Sequence, residues 1–518
     1  TPSNSSAASD VYKRQVLEAN HPRELKELTK LAFELSSELK HPVILRSTTR
    51  LSHTRVVVEL GPIREPVRRG QYVKNPSRYV LVPANARKLR KSLLSKWRSI
   101  EERLAEIPFN AIEGDGRALI VASGISYSYV KEAVELLRME GRVRILKLAS
   151  PVPLPRSLVM KALEGVEKIL VVEELEPVVE WQIKNILYDA GATIPIKGKE
   201  LVGYAYEMTL DRALEAVCRF LGVDCPRPKP LALEVPELVP PRPPQLCPGC
   251  PYRPLFYVLR RVANMIAGRR GKELEPIFAG DIGCYSLGMN PPFYVQDTCI
   301  CMGASIGFAN GYAQVIKDRP IVALIGDSTF FHTGLPPLIN AVYNGASFLT
   351  VVLDNKTTAM TGHQPHPGTG VRATGDEAPQ LRIEELAKAV GVGFVEVVDP
   401  FNVDELQNVI LKAAEFVEEK RSPALVISRR ACALYAISRA RRAGFEIPRY
   451  EVDPALCRGC GVCYSSFACP AIRRTKDGKA YVDPELCTGC GVCAKICPFK
   501  AIKPSQEFDV EKWESFWR

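Results

Sequence analysis

Two groups of four cysteines near the C-terminal end of the chain have the spacing that iron–sulfur chemistry requires. Each group is a CxxCxxC motif followed by a Cys-Pro pair: Cys457, Cys460, Cys463 and Cys469 in the first, and Cys487, Cys490, Cys493 and Cys497 in the second. A CxxCxxC loop supplies three thiolates around one small volume, and its glycines let the backbone wrap an inorganic core. The pattern predicts two [4Fe-4S] clusters.

The two groups are copies of one sequence unit. DPALCRGCGVC at 453–463 aligns with DPELCTGCGVC at 483–493, which predicts two similar half-domains. In two-cluster ferredoxins, the fourth ligand of each cluster is the Cys-Pro cysteine of the other half. We therefore expect Cys497 to complete the first cluster and Cys469 to complete the second. Zinc is the alternative, but zinc ribbons have no use for a third cysteine in each loop or for the Cys-Pro pair.

Length, charge and cysteine content restrict the class of protein. A chain of 518 residues predicts three or four domains. The net charge is +11, but basic and acidic residues are interspersed, so we expect a solvated surface and no nucleic-acid partner. Apolar runs are far shorter than the ~20 residues that a bilayer requires, so no membrane partner is expected. Sixteen cysteines without a secretory signal predict a cytoplasmic, anaerobic setting.

Changes in composition divide the chain into six predicted segments. Apolar runs alternate with helical stretches in the two largest, so the fold class is α/β, with a doubly wound sheet in the later segment. The segments are a non-native or disordered leader (1–15), the remnant of an N-terminal α/β domain (16–81), a second α/β domain (82–225), a proline-rich linker (226–244), the doubly wound domain (245–447) and an α+β two-cluster domain of the ferredoxin type (448–518).

Polar residues follow two apolar strands of the doubly wound domain. Strand IVALIG runs into Gly326-Asp327-Ser328, and the next strand runs into Asn355 and Thr357. Open α/β sheets bind ligands at the carboxyl ends of neighbouring strands. Carboxylate, amide and backbone oxygens suit Mg²⁺, and a glycine admits a phosphate. Gly-Asp alone is also an ordinary turn, but together with Asn355 it predicts a metal–diphosphate site.

The same residues carry a resemblance to a known family. The GDS…Asn355 pair is similar to the thiamine diphosphate motif, and the segments CPGCP, GDIGCYSLG and GDSTFFHTG resemble the large subunits of the indolepyruvate ferredoxin oxidoreductase family, from about residue 16 onwards. The likeness implies a pyrimidine-binding type for 16–81 and a transketolase C-terminal type for 82–225. It implies the following site: Mg²⁺ on the side chains of Asp327 and Asn355 and the carbonyl of Thr357, with Gly283, Gly326 and Ser328 near the thiamine diphosphate.

Two features depart from the family pattern. The histidine of the family's CPGCPHR segment is Tyr252 here. Most of the N-terminal domain is expected to be missing, together with the glutamate that normally protonates the aminopyrimidine. We therefore expect the chain to bind thiamine diphosphate without activating it unaided.

A third [4Fe-4S] cluster is a separate hypothesis that rests on four further cysteines. Cys247 and Cys250 resemble a cysteine pair of the wider 2-oxoacid ferredoxin oxidoreductase superfamily, and Cys284 and Cys432 resemble its third and fourth ligands. Together these thiols would form a cluster proximal to the thiamine site. The alternative is that Cys284 and Cys432 are small buried apolar residues.

The resemblance also implies a reaction and its partners. The reaction is oxidative decarboxylation of arylpyruvates such as indolepyruvate with coenzyme A, with electrons passing to an external ferredoxin. His332 is the catalytic candidate, expected to meet the substrate or the cofactor, and His363 and His366 are expected to cap a loop over the diphosphate; a structural hydrogen-bonding role is the alternative for each of the three. A smaller β subunit and a dimer of heterodimers are implied. Two other functions stay open: a non-oxidative thiamine-dependent decarboxylase, and an electron-transfer subunit of another 2-oxoacid oxidoreductase.

Overall fold

The computed structural model describes residues 13–62, 72–226 and 243–518. The chain forms two compact units, one up to residue 234 and one from residue 235. Both are mixed α/β structures built on parallel sheets, which confirms the predicted fold class. In the described part of the chain, no helix combines the length and apolar character needed to cross a membrane. The predicted proline-rich linker lies almost wholly outside the described residues.

Within the described residues, sixteen strands form the sheets. In chain order they are β1 Gln15–Glu18, β2 Val43–Arg46, β3 Ala111–Glu113, β4 Ala118–Ser123, β5 Val143–Leu148, β6 Lys168–Val172, β7 Ile196–Lys197, β8 Ile277–Ala279, β9 Ile321–Gly326, β10 Leu349–Asp354, β11 Phe394–Val398, β12 Ala424–Arg429, β13 Tyr450–Val452, β14 Ile472–Arg474, β15 Ala480–Val482 and β16 Ile502–Pro504.

The α-helices cover or connect these strands. They are α1 Pro22–Leu39, α2 Thr49–His53, α3 Pro76–Tyr79, α4 Pro83–Ala105, α5 Ile125–Leu136, α6 Arg156–Ala162, α7 Val178–Asp189, α8 Lys199–Val202, α9 Leu210–Leu221, α10 Tyr252–Arg270, α11 Ser305–Val315, α12 Asp327–Thr329, α13 Leu335–Tyr343, α14 Ile383–Ala389, α15 Val403–Lys420, α16 Ala433–Arg442, α17 Val492–Ile496 and α18 Val510–Ser515.

The first unit is built on a five-stranded sheet of order β3-β5-β4-β6-β7, in which only β3 runs antiparallel to its neighbour. All six residues of β4 are buried because helices cover both faces. Ile120 packs into the apolar cluster on one face and Leu119 into the cluster on the other. Strands β1 and β2 form a separate parallel pair. Strand β1 begins at Gln15, a residue that the sequence had placed in the leader.

The second unit contains an all-parallel sheet of order β11-β12-β10-β9-β8. Strands β9 and β10 are adjacent and buried along their whole length. Their continuous apolar runs are typical of central strands in a doubly wound sheet. The carboxyl ends of β9 and β10 therefore lie side by side, which positions the loops that begin at Asp327 and Asn355.

The C-terminal segment carries two antiparallel ribbons, β13–β16 and β14–β15. Its last helix, α18, and the residues just after it pack on the sheet domain through Trp513, in the helix, and Trp517, beyond its end; the two are 2% and 1% exposed. The Trp513 ring stacks on Phe445 with centroids 5.7 Å apart, and its Nε1 donates a 2.9 Å hydrogen bond to the carbonyl of Gly489. Gly489 lies between Cys487 and Cys490, so α18 braces a cysteine loop.

Replacing Trp513 with alanine is expected to lower the free energy of unfolding of this unit by about 3–5 kcal/mol. Removal of the buried indole leaves a cavity and leaves the Gly489 carbonyl without its hydrogen-bond donor. Thermal denaturation followed by circular dichroism measures the effect. W181A is the control, because Trp181 is 52% exposed. A melting temperature for W513A equal to that of W181A would show that α18 does not brace the loop.

Candidate functional site

Asp327 and Asn355 meet at the edge of the sheet where β9 and β10 end. Both are buried, with 3% of each residue exposed. Asp327 Oδ1 accepts a 2.8 Å hydrogen bond from the Ser328 amide, and Asn355 Oδ1 accepts one of 3.4 Å from the Thr357 amide. Buried carboxylate and amide oxygens at neighbouring strand ends form the donor set that Mg²⁺ prefers. The chemistry of these residues therefore fits a metal–diphosphate site.

His366 is the immediate partner of Asp327. Its Nε2 lies 3.1 Å from Asp327 Oδ2, and its Nδ1 accepts a hydrogen bond from the Gly368 amide at 3.2 Å. Since Nδ1 is an acceptor, the neutral ring carries its proton on Nε2 and donates it to Asp327. The Phe331 ring packs over the imidazole with centroids 5.7 Å apart. His366 therefore orients the Asp327 carboxylate, whereas His363 is exposed.

Burial raises the pKa of Asp327 to about 6, and the nearby Asp354 adds to the increase while the His366 hydrogen bond opposes it. The ionised carboxylate is the form that binds a cation, so a proton competes with Mg²⁺ below this pH. The folded state also holds this proton more tightly than the unfolded chain does. Protonated Asp327 therefore stabilises the folded state at low pH, and this stabilisation is lost as the pH rises through about 6.

We expect Mg²⁺ affinity to fall about tenfold for each pH unit below about 6, because one proton must leave Asp327 for each ion bound. Calorimetric titration with Mg²⁺ and thiamine diphosphate from about pH 5 to about pH 7 measures this slope. D327N is the control, since an amide does not titrate in this range. An equally steep slope in D327N would assign the proton to another group.

Gly283 and Gly326 both pack against the ring of Tyr285. A Cβ added at Gly283 would lie 2.5 Å from a ring carbon, and one added at Gly326 would lie 2.7 Å from the same carbon. The Tyr285 hydroxyl donates a 2.7 Å hydrogen bond to the carbonyl of Ile282. Packing against Tyr285 is therefore sufficient to exclude a side chain at either position, whether or not a phosphate also approaches the backbone there.

Asp281, two residues before Gly283, is completely buried, and its carboxylate holds neighbouring backbone in place. Its carboxylate accepts hydrogen bonds from the Gly303 amide at 2.7 Å and the Ser305 hydroxyl at 3.0 Å. His332 lies in the π-helical turn Phe330–Gly334 and is exposed. Turns of this type often mark functional sites, but the structure gives His332 no contact with Asp327.

Charge interactions link the four cysteines predicted to form the proximal site. Burial raises the pKa of Cys284 and Cys432, and in each case the charge of Cys247 raises it further. Burial also raises the pKa of Cys250, and the charges of Cys432 and Cys247 add to the increase. The four thiols come from three loops, and that they bind a cubane cluster stays a prediction.

Cys432 is joined directly to the thiamine-type loop. Its amide donates a 2.9 Å hydrogen bond to the carbonyl of Asn355. The preceding amide, of Ala431, donates to the carbonyl of Trp517 at 3.0 Å. The segment after β12 therefore connects the predicted metal site, a predicted cluster ligand and the chain just after the last helix.

The eight C-terminal cysteines line two separate small cavities, four cysteines in each. Burial raises the pKa of Cys463 to about 11 and that of Cys490 to about 12, so these thiols hold their protons at neutral pH when no metal is bound. Within the described ranges, no three His, Cys, Asp or Glu side chains converge as ligands of a single metal ion. The two sets are those expected from the sequence: Cys457, Cys460, Cys463 and Cys497 line one cavity, and Cys469, Cys487, Cys490 and Cys493 line the other.

Tyr252, the departure from the family's histidine, is 4% exposed and lies edge-on to Tyr285, with ring centroids 6.0 Å apart. Burial raises its pKa well above the ordinary value, and the charge of Asp327 adds to this. Tyr252 therefore remains a neutral phenol between the cysteine loop and the metal site.

Comparison with known proteins gives the same two parts. Residues 281–428 match the family described as thiamine pyrophosphate enzyme, C-terminal TPP binding domain, and residues 480–503 match the 4Fe-4S binding domain. Indolepyruvate oxidoreductase subunit IorA of Thermococcus kodakarensis is 46% identical over 517 residues, which cover 95% of this chain and 78% of that protein. The same subunit of Archaeoglobus fulgidus is 44% identical over 504 residues, covering 95% and 77%.

Proposed function

Because the chain belongs to the IorA family of indolepyruvate oxidoreductases, we propose that it catalyses the oxidative decarboxylation of arylpyruvates, indolepyruvate among them. The products are CO₂ and an arylacetyl-coenzyme A, and the two electrons released pass singly to ferredoxin. Thiamine diphosphate, held by the residues that follow β9 and β10, would supply the carbanion chemistry that decarboxylation requires. The chain's own residues bind and orient the cofactor and conduct the electrons.

One observation carries this proposal: the hydrogen bond from the Cys432 amide to the Asn355 carbonyl. It joins a residue of the thiamine-type loop to a thiol of the cysteine set closest to that loop. An electron-transfer subunit would not need Asp327 and Asn355 buried beside this thiol. A non-oxidative decarboxylase would not need cysteine sets at all.

The proposed cofactor site uses the strand-end residues. Asp327 and Asn355 hold Mg²⁺ through side-chain oxygens and Thr357 through its carbonyl, while Gly283, Gly326 and Ser328 lie along the diphosphate. His366 acts on Asp327 as a positioning residue. His332 is the candidate for contact with substrate, because it is exposed one turn after Asp327.

The proposed cluster sites are the two C-terminal cavities and the proximal set. Cys247, Cys250, Cys284 and Cys432 hold the cluster that receives electrons first. Each cluster accepts one electron at a time, so the path divides a two-electron oxidation into single steps.

The subunit designation of the relatives supports a smaller β subunit as partner. A dimer of heterodimers in the cytoplasm, with ferredoxin as acceptor and coenzyme A as acyl acceptor, completes the proposal.

Reduction of ferredoxin tests the proposal. The chain is purified anaerobically with its β subunit, and reduction is followed with indolepyruvate, coenzyme A, Mg²⁺ and thiamine diphosphate. Ferredoxin reduction that requires all four supports the proposal. Release of CO₂ and an arylacetaldehyde without ferredoxin reduction would favour the non-oxidative decarboxylase, and reduction that persists in D327A would favour an electron-transfer subunit.

A further inference from the structure

Arg253 connects two of the cysteine loops. It lies in the first turn of α10, directly after the Cys247–Cys250 loop, and is 3% exposed. Its Nη2 donates a 2.7 Å hydrogen bond to the carbonyl of Leu246, which precedes Cys247. Its Nη1 donates to the carbonyl of Ala468, which precedes Cys469, at 2.5 Å. One guanidinium therefore binds the backbone beside a ligand of the predicted proximal cluster and beside a ligand of the predicted cluster at Cys469.

The Cys247–Cys250 loop also approaches a second loop that carries ligands of the Cys469 set. A Cβ added at Gly249 would lie 2.3 Å from Thr488 Oγ1, so the loop between Cys247 and Cys250 passes close to the loop between Cys487 and Cys490. Pro248 and Gly249 form part of the wall of the cavity that Cys469, Cys487, Cys490 and Cys493 line. The thickness of a single loop separates that cavity from the proximal cysteines.

The charge of Arg253 has no carboxylate partner among the residues that the structure describes. Its hydrogen bonds go to neutral carbonyls, and its Nε is buried without a partner. Burial lowers the pKa of Arg253, and the groups that oppose this and favour its charged form are thiols on both sides: Cys469 and Cys490 of one set, and Cys250 and Cys247 of the other. A buried cation without an anion is costly, so the arrangement indicates that anions occupy these thiol sets.

Iron–sulfur clusters bound by thiolates are such anions, and each gains one negative charge on reduction. Nearby charge is one of the factors that set the reduction potential of a cluster. A fixed positive charge stabilises the reduced, more negative form, and a low local dielectric strengthens this effect. Because guanidinium remains protonated, the effect does not depend on pH.

We propose that Arg253 is a positioning residue that clamps the proximal cysteine loop to the Cys469 loop and whose charge favours reduction of the cluster bound by Cys469, Cys487, Cys490 and Cys493. This inference rests on the proposed function, which supplies the electrons. One electron leaves the reduced proximal cluster, which is thereby oxidised, and reduces the neighbouring one. The order of transfer is then fixed: proximal set, Cys469 set, Cys457 set, external ferredoxin.

A redox titration monitored by electron paramagnetic resonance tests the charge. In R253Q, the reduction equilibrium of the cluster at Cys469 is expected to shift at least tenfold toward the oxidised form, about 59 mV for one electron. R253K keeps the charge and should stay within threefold of the wild type. R261Q is the matched control, because Arg261 lies on the same helix but is exposed and should show no shift.

Iron content is measured first in each variant, since it separates this inference from the proposed function. A wild-type protein without iron would refute the proposed function. With iron present, an unshifted potential in R253Q, or an equal shift in R253K, would overturn the role of the charge. If R253Q loses iron, R253M serves as the neutral variant instead, because methionine adds no buried amide group that needs hydrogen-bond partners. Iron loss in R253K as well as in both neutral variants would also overturn the inference.

Discussion

D327A is expected to weaken Mg²⁺-dependent binding of thiamine diphosphate at least about a hundredfold, since it removes the only carboxylate of the proposed metal site. The remaining oxygens, from Asn355 and Thr357, are neutral and cannot balance the charge of the ion. The orienting effect of His366 is lost as well, because its Nε2 no longer has the Asp327 carboxylate as acceptor. Isothermal titration calorimetry with Mg²⁺ and thiamine diphosphate measures the loss.

Two controls accompany D327A. D318A removes a carboxylate whose side chain is 63% exposed, and this variant should bind the cofactor like the wild type. The iron content of D327A should equal that of the wild type, which shows that the unit still folds. Cofactor binding by D327A within fivefold of the wild type would place the metal site elsewhere.

The C469A and C497A variants are expected to lose different clusters, although each loses about four irons per chain. C469A should lose the cluster beside the Cys247–Cys250 loop, because Cys469 lines that cavity together with Cys487. C497A should lose the other one and leave the first intact. Loss of Cys469 therefore interrupts the electron path in its middle, while loss of Cys497 removes its outer end.

Electron paramagnetic resonance of the reduced variants distinguishes the two losses. The cluster whose potential responds to R253Q should be absent in C469A and present in C497A. C301A is the control, since Cys301 is exposed and lines neither cavity. Loss of the same cluster from both variants would contradict the crossed pairing of ligands.

The sequence predicted best where residue type and spacing dictate the geometry. Strands β9 and β10 are six-residue apolar runs that only a central position can bury, so Asp327 and Asn355 were expected at one edge of the sheet. The cysteine repeat likewise predicted which thiols would share a cavity. That they bind iron stays a prediction.

Elements with mixed burial were missed. Strand β11 has only Val398 buried, and its alternation of apolar residues with exposed Glu396 gave no clear strand signal. Helix α4 is 23 residues long, but only Ile100 and Leu104 are buried, so its sequence resembles a solvated segment. Weak burial leaves little periodicity for a prediction to use.

Contacts between distant positions could not be predicted either. His366 lies 39 residues from Asp327, and the sequence indicated only that it could cap a loop. Arg253 is separated from Ala468 by 215 positions. Long-range contacts of this kind depend on how α10 and the C-terminal segment pack together, and no local pattern encodes that packing.

The central claim is a continuous path of clusters that begins beside the thiamine site, and Cys284 is the thiol that tests it most directly. Iron, acid-labile sulfide and zinc are measured per chain in anaerobically purified wild type and C284A. About twelve irons in the wild type and about eight in C284A are predicted, because the variant loses the proximal cluster alone. About eight irons in both proteins, or zinc in place of iron, would contradict the path.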